Sequence, residues 1–143
     1  MDIRHIDETY HVSPQIALED PAAIAAAGFK GIICNRPDTE VPPAIGAENM
    51  RIAAEAEGLV FHVLPLTHQT MTPDNIALQM QLVAEIDGPV LAYCASGTRC
   101  TVIWSMAKAM DGAMSPDDIL AKAAAAGYAL DGLRPQLELL SQS

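Results

Sequence analysis

Pro89-Val90-Leu91-Ala92-Tyr93-Cys94-Ala95-Ser96-Gly97-Thr98-Arg99-Cys100 leads from an unbroken apolar run, through small residues, into Thr101-Val102-Ile103-Trp104-Ser105-Met106. Val90 to Tyr93 reads as a strand covered on both faces, the mark of a sheet interior. The residues after Cys100 read as a helix over 101–111, ended by Gly112. A strand that turns through a Gly-containing loop into a helix is a βα unit, and ligands of such units bind beyond the strand's carboxyl end.

The same punctuation recurs on either side. Asp20-Pro21, Thr72-Pro73 and Ser115-Pro116 each pair a capping side chain with a Pro suited to the first helical position. Gly28, Gly58, Gly88, Gly112 and Gly127 stand where helices should stop. Together they predict helices near 21–27, 47–57, 73–87, 101–111, 116–126 and 131–141. Branched apolar runs at 29–34, 59–66 and 90–93 predict strands, and 3–13 reads as a small hairpin or edge strands. The alternation predicts a single α/β domain over 1–143, with a central, mostly parallel sheet flanked by helices.

Composition narrows the class of function. The 143 residues carry 8 Lys and Arg against 18 Asp and Glu, a formal net charge of −10 with no basic cluster. Nucleic acid and acidic membranes need clustered cations, so neither is an expected partner. A small anionic or phosphorylated substrate, held by local donors, is the expectation; a second copy of the chain is the one protein partner kept in view. Met1-Asp2-Ile3-Arg4-His5 lacks a basic-then-apolar leader, and the expected compartment is the cytoplasm. Cys34, Cys94 and Cys100 are odd in number, and His5, His11, His62 and His68 provide no paired ligand spacing. Neither a disulfide framework, a metal nor a cofactor is therefore expected.

Reactive thiol chemistry is the better reading. A tight loop of small residues lets backbone N–H groups converge, and the helix start adds partial positive charge there. Cys94 at such a focus is the expected nucleophile, because settings of this kind bring a thiol pKa down to roughly 3.5–7.5. Arg99 is the expected planar clamp for a tetrahedral anion. Ala95, Ser96, Gly97, Thr98 and Cys100 complete the expected substrate cradle, with Asn35, Arg36 and His68 brought in from neighbouring strand ends. Asp38 is the expected general acid, with His68 as the other candidate; Asp38 could equally cap a turn. Arg36 is read as a second cation or as a surface ion pair. Asn35 is read as organising its loop through side-chain-to-backbone bonds. Cys100 is read as a resolving thiol for Cys94 or as a small helix-start residue. Cys34, Trp104, Met106 and Met110 read as core.

Ser13-Pro14-Gln15-Ile16, Ala26-Ala27-Gly28-Phe29, Asn35-Arg36-Pro37-Asp38, Thr72-Pro73 and Pro89 through Arg99 together resemble the phosphatase-like domain family of beta-lactamase-hydrolase-like proteins. That family is related in fold to dual-specificity and tyrosine phosphatases. The resemblance covers roughly 1–110 and implies a phosphatase-like fold, with Cys94 as nucleophile and Arg99 as anion clamp. Ala95 stands where the family usually has Arg, which removes one cation from beside the nucleophile. Cys94 to Arg99 is C-x4-R, one residue shorter than the C-x5-R of tyrosine phosphatases, and it resembles the rhodanese loop C-x-x-G-x-R. Three functions follow as expectations: a cysteine-dependent hydrolase of phosphate esters, a rhodanese-like sulfurtransferase carrying a persulfide on Cys94, and a non-catalytic anion-binding module.

Overall fold

In the computed structural model, which describes residues 1–142, five short strands form one sheet. They are β1 (Arg4–His5), β2 (Tyr10–Ser13), β3 (Gly31–Cys34), β4 (Val60–Val63) and β5 (Val90–Tyr93), in the order β1-β2-β5-β3-β4. Only the β1–β2 pair is antiparallel; β2–β5, β5–β3 and β3–β4 run parallel. The opening segment is thus a hairpin whose second strand lies inside the sheet, not at its edge. Central β5 is buried along its whole length, as its apolar run predicts.

Six α-helices surround the sheet: α1 (Asp20–Ala26), α2 (Ala47–Ala56), α3 (Pro73–Glu85), α4 (Thr98–Asp111), α5 (Pro116–Ala125) and α6 (Arg134–Ser141). The chain steps from β2 to β3 to β4 in one direction, then reverses to reach β5 in the middle. Because parallel crossovers are right-handed, the reversal puts α3 on the face opposite α1 and α2. Two cores result. Ile24, Met50 and Ala54 pack beside Ile32, Cys34, Leu91 and Tyr93 on one face. Trp104, Ile103, Ile119 and Leu137 pack beside Val12, Ile33, Val90 and Ala92 on the other. No helix among the described residues is long and apolar enough to cross a membrane.

Two expected caps form as read: Thr72 Oγ1 accepts from Asn75 N–H and Ser115 Oγ from Asp118 N–H, each at 3.2 Å. Asp20 differs. Its carboxylate accepts from Ala17 N–H at 2.7 Å, so it closes the preceding turn and lies inside α1. The expected helix 131–141 is split into a single 3₁₀ turn, Asp131–Leu133, and α6. The correction that matters most concerns α4, which begins at Thr98 and not at 101. Gly97 takes a left-handed φ of 91°, and its carbonyl already accepts from the N–H and hydroxyl of Thr101. Arg99 and Cys100 therefore ride on the first helical turn.

Candidate active site

Cys94 follows the last residue of β5, and the chain reverses over Ala95, Ser96 and Gly97 before entering α4. Every expectation about the loop depends on how this turn is held. Tyr128 donates its hydroxyl hydrogen to Ser96 O at 2.9 Å, tying the loop to the segment after α5. A Cβ on Gly97 would collide with that same hydroxyl, in a backbone region that side chains already disfavour by about 1–2 kcal/mol. Gly97→Ala is therefore expected to destabilise the domain by at least that amount in denaturant unfolding, and to weaken anion binding at the loop.

Below the turn, a buried polar chain fixes the first turn of α4. Asn35 donates to Leu64 O and to Gln79 Oε1, each at 2.9 Å. Gln79 donates to Tyr10 Oη at 3.2 Å, and Tyr10 in turn donates to Cys100 O at 2.7 Å. Strands β2 and β3, helix α3 and the start of α4 are thus cross-linked by groups with no access to water. An orphaned member of such a chain costs about 1–3 kcal/mol, which makes the chain all-or-none. Asn35 is fully buried, so the expected substrate contact gives way to the organising role.

The sulfur of Cys94 accepts from Gly97 N–H at 3.1 Å. Its pKa is drawn down to about 5. The Cys100 thiol donating to it is the largest cause; the N–H groups of Cys100, Ser96 and Gly97 add to it, and burial opposes them. Cys100 moves the other way, pushed well up by burial and by its neighbouring sulfur. One sulfur is thus a thiolate near neutrality and the other keeps its proton. Cys94 exposes no surface, and the rim above it is formed by exposed Ala95 and Ser96. Ser96 Oγ and Thr98 Oγ1 are 2.9 Å apart along that rim.

Arg99 is held from outside the loop. Glu40 takes its two terminal nitrogens end-on, Nη2 to Oε1 at 2.7 Å and Nη1 to Oε2 at 2.8 Å, and Nη1 also donates to Leu66 O at 2.8 Å. A guanidinium has five N–H donors, and these bonds use three. Nε–H and the second Nη2–H, the side-on fork, have no partner among the described residues. Glu40 and Leu66 thus orient Arg99 while leaving one bidentate edge for an oxyanion. Glu40 is a positioning residue that sequence reasoning missed, because no local pattern joins position 40 to position 99. Glu40→Gln is expected to raise KM for an anionic substrate roughly tenfold, from the loss of charge-assisted bonds, with a smaller change in kcat. Steady-state kinetics read that split, which general loosening would not produce.

The other expected residues fall into place unevenly. Arg36 spends its donors on Glu40 and Gln15, with Nε to Glu40 Oε1 at 3.3 Å and Nη1 to Gln15 Oε1 at 3.2 Å. It braces Glu40 and does not replace the cation missing at position 95. Asp38 makes the capping contact that was the other reading of it: its carboxylate accepts from Ala47 N–H at 2.8 Å, holding the start of α2. His68 does reach the site's edge, lining a cleft with Thr98. Cys34 is core, as read.

The parallel sheet, its central strand and the cysteine loop at the helix start define a phosphatase-like α/β domain. Comparison with known proteins gives the family: residues 2–113 match the phosphatase-like domain of beta-lactamase hydrolase-like proteins, and the chain belongs to that family. A beta-lactamase hydrolase-like protein from Agrobacterium fabrum is 35% identical over 114 residues, 80% of this chain and 26% of that one. A second, from Xylella fastidiosa, is 31% identical over 130 residues, 91% of this chain and 30% of that protein. The chain thus spans between a quarter and a third of these curated relatives. Among solved structures, a candidate phosphatase from Neisseria meningitidis superposes with a TM-score of 0.85 at 36% identity, covering 98% of this chain and 99% of that one. TpbA from P. aeruginosa, solved with phosphotyrosine bound, superposes with a TM-score of 0.64 at 15% identity over 96% of this chain and 90% of that one, which is likeness of fold.

Proposed function

We propose that the domain is a cysteine-dependent phosphomonoesterase. The observation that carries the reading is one arrangement: a sulfur whose pKa is drawn to about 5 sits in the loop that enters α4, and the first turn of that helix carries an arginine with its side-on fork free. The Cys94 thiolate attacks phosphorus and forms an S–P bond as the P–O bond to the leaving group breaks. Arg99 and the loop N–H groups hold the non-bridging oxygens, where negative charge concentrates. The leaving oxygen takes a proton from an acid, and His68 is the side chain at the rim suited to give it. Water then attacks phosphorus, releasing inorganic phosphate and returning the thiolate. Membership of a phosphatase-like family and the phosphotyrosine bound by TpbA support this choice of chemistry.

The test is turnover of p-nitrophenyl phosphate during titration with iodoacetamide at pH 6. Phosphate release should decline in proportion to alkylation of Cys94, ahead of Cys34 and Cys100. Absence of release, or release indifferent to alkylation of Cys94, would overturn the reading.

A second reading is favoured by the C-x4-R length and by the Cys100 thiol beside the nucleophile. Here Cys94 breaks the S–S bond of thiosulfate, keeps the outer sulfur as a persulfide and expels sulfite. A sulfur adduct on Cys94 after thiosulfate treatment, found by mass spectrometry, would favour it over phosphoryl transfer.

A further inference from the structure

Thr98, Val102 and Met106 recur every four residues along one face of α4, starting at the anion loop and leading away from it. They line a cavity of about 370 Å³, together with Met71 from the segment after β4 and Leu130 and Leu133 from the segment before α6. His68 stands at the same lining. Continuity with the loop is covalent on one side, through Thr98. On the other it runs through the Tyr128 hydroxyl, which binds Ser96 O two residues before Leu130. The second wall comes from residues beyond the family-matched span of 2–113, so membership of the family does not determine what the groove accepts.

We propose, resting on the phosphomonoesterase reading, that this groove takes the alkyl chain of an amphiphilic phosphate monoester whose head sits in the Cys94 loop. The polarity of the surface fits this arrangement. At one end are the helix start and the Arg99 fork, which recognise a dianion. From there the groove is lined mainly by the aliphatic and thioether side chains of Val102, Met106, Met71, Leu130 and Leu133; its one ring is the His68 imidazole, with no Phe, Tyr or Trp on which an aryl group would stack. Two methionines make the lining adaptable, suited to a flexible chain more than to a rigid plate. No Lys or Arg is among the residues that line it, so nothing there holds a second anionic group and the occupant ends in hydrocarbon.

The experiment measures binding of inorganic phosphate and of methyl, butyl, hexyl and octyl phosphate to the Cys94→Ser protein by calorimetry. A phosphotyrosine peptide forms a parallel arm. Buried hydrocarbon predicts that Kd falls up to about fourfold per added methylene until the groove is full. Leu130→Asp should collapse the hexyl-to-methyl ratio toward one. The alkyl ladder with the groove intact decides the matter even if that variant fails to fold. A flat ladder with phosphate still bound overturns the groove and leaves the anion loop standing; failure to bind phosphate or any ester overturns both. A phosphotyrosine peptide that binds more tightly than octyl phosphate overturns the alkyl assignment.

Discussion

Cys94→Ser is expected to lower kcat on an aryl phosphate by a factor on the order of 10³ or more, because the hydroxyl left behind is a far weaker nucleophile near neutrality. Unfolding free energy should change little, since the two side chains are close in size. The pH profile carries the more specific expectation. A pKa drawn down to about 5 means the thiolate is fully formed above that value and is lost as pH falls through it. The acid limb of kcat/KM should therefore have its midpoint near 5, with nucleophile ionisation causing no further rise between pH 6 and 8. An unperturbed thiol, with a pKa of about 8.5, would still be gaining rate there. Cys100→Ala removes the largest cause of the lowering, so its acid limb should move to higher pH. Stopped assays across the pH range, with enzyme integrity checked at each end, measure both.

Arg99→Ala is expected to reduce kcat/KM by about 10² to 10³-fold, the usual consequence of deleting one preorganised donor from an anion site. Arg99→Lys should recover only part of it, since an ammonium is a point charge without the planar fork. Inorganic phosphate binding should weaken in the same order: wild type, then Lys, then Ala. A further consequence comes from the pairing with Glu40. In Arg99→Ala the Glu40 carboxylate keeps Arg36 but loses its bidentate partner, leaving an anion near the loop that repels substrate. The double change Arg99→Ala with Glu40→Gln should then bind phosphate more tightly than Arg99→Ala alone, and a double-mutant cycle isolates that coupling.

How far this was legible in the sequence depended on whether the signal was local. The continuous apolar run Val90–Tyr93 and the Pro and Gly punctuation located the parallel sheet and most helices, because strand burial and caps act over a few residues. Cys94 and Arg99 could be read for the same reason: only four residues separate them and the turn between them is tight. The start of α4 was misplaced because Gly97 serves as the residue before the helix, and its left-handed φ cannot be seen from composition. Asp38 illustrates a position that its local sequence leaves open to two readings. Its position after a strand suited a general acid, yet a carboxylate nine residues before Ala47 could equally hold the start of α2, and does. Glu40, Gln79, Tyr10 and Tyr128 went unread because each meets the site across a separation that only the folded chain closes. Gln79 in particular lies on a helix face that its surroundings would suggest is apolar.

The most direct test is to mix the protein with excess p-nitrophenyl phosphate, quench within the first turnovers, digest and analyse every cysteine-containing peptide by mass spectrometry. Cys94 acting as a nucleophile on phosphorus predicts a phosphoryl adduct on the peptide carrying Cys94, absent when Cys94 is Ser. Turnover that proceeds with no adduct on Cys94, or that persists in Cys94→Ser, would contradict it.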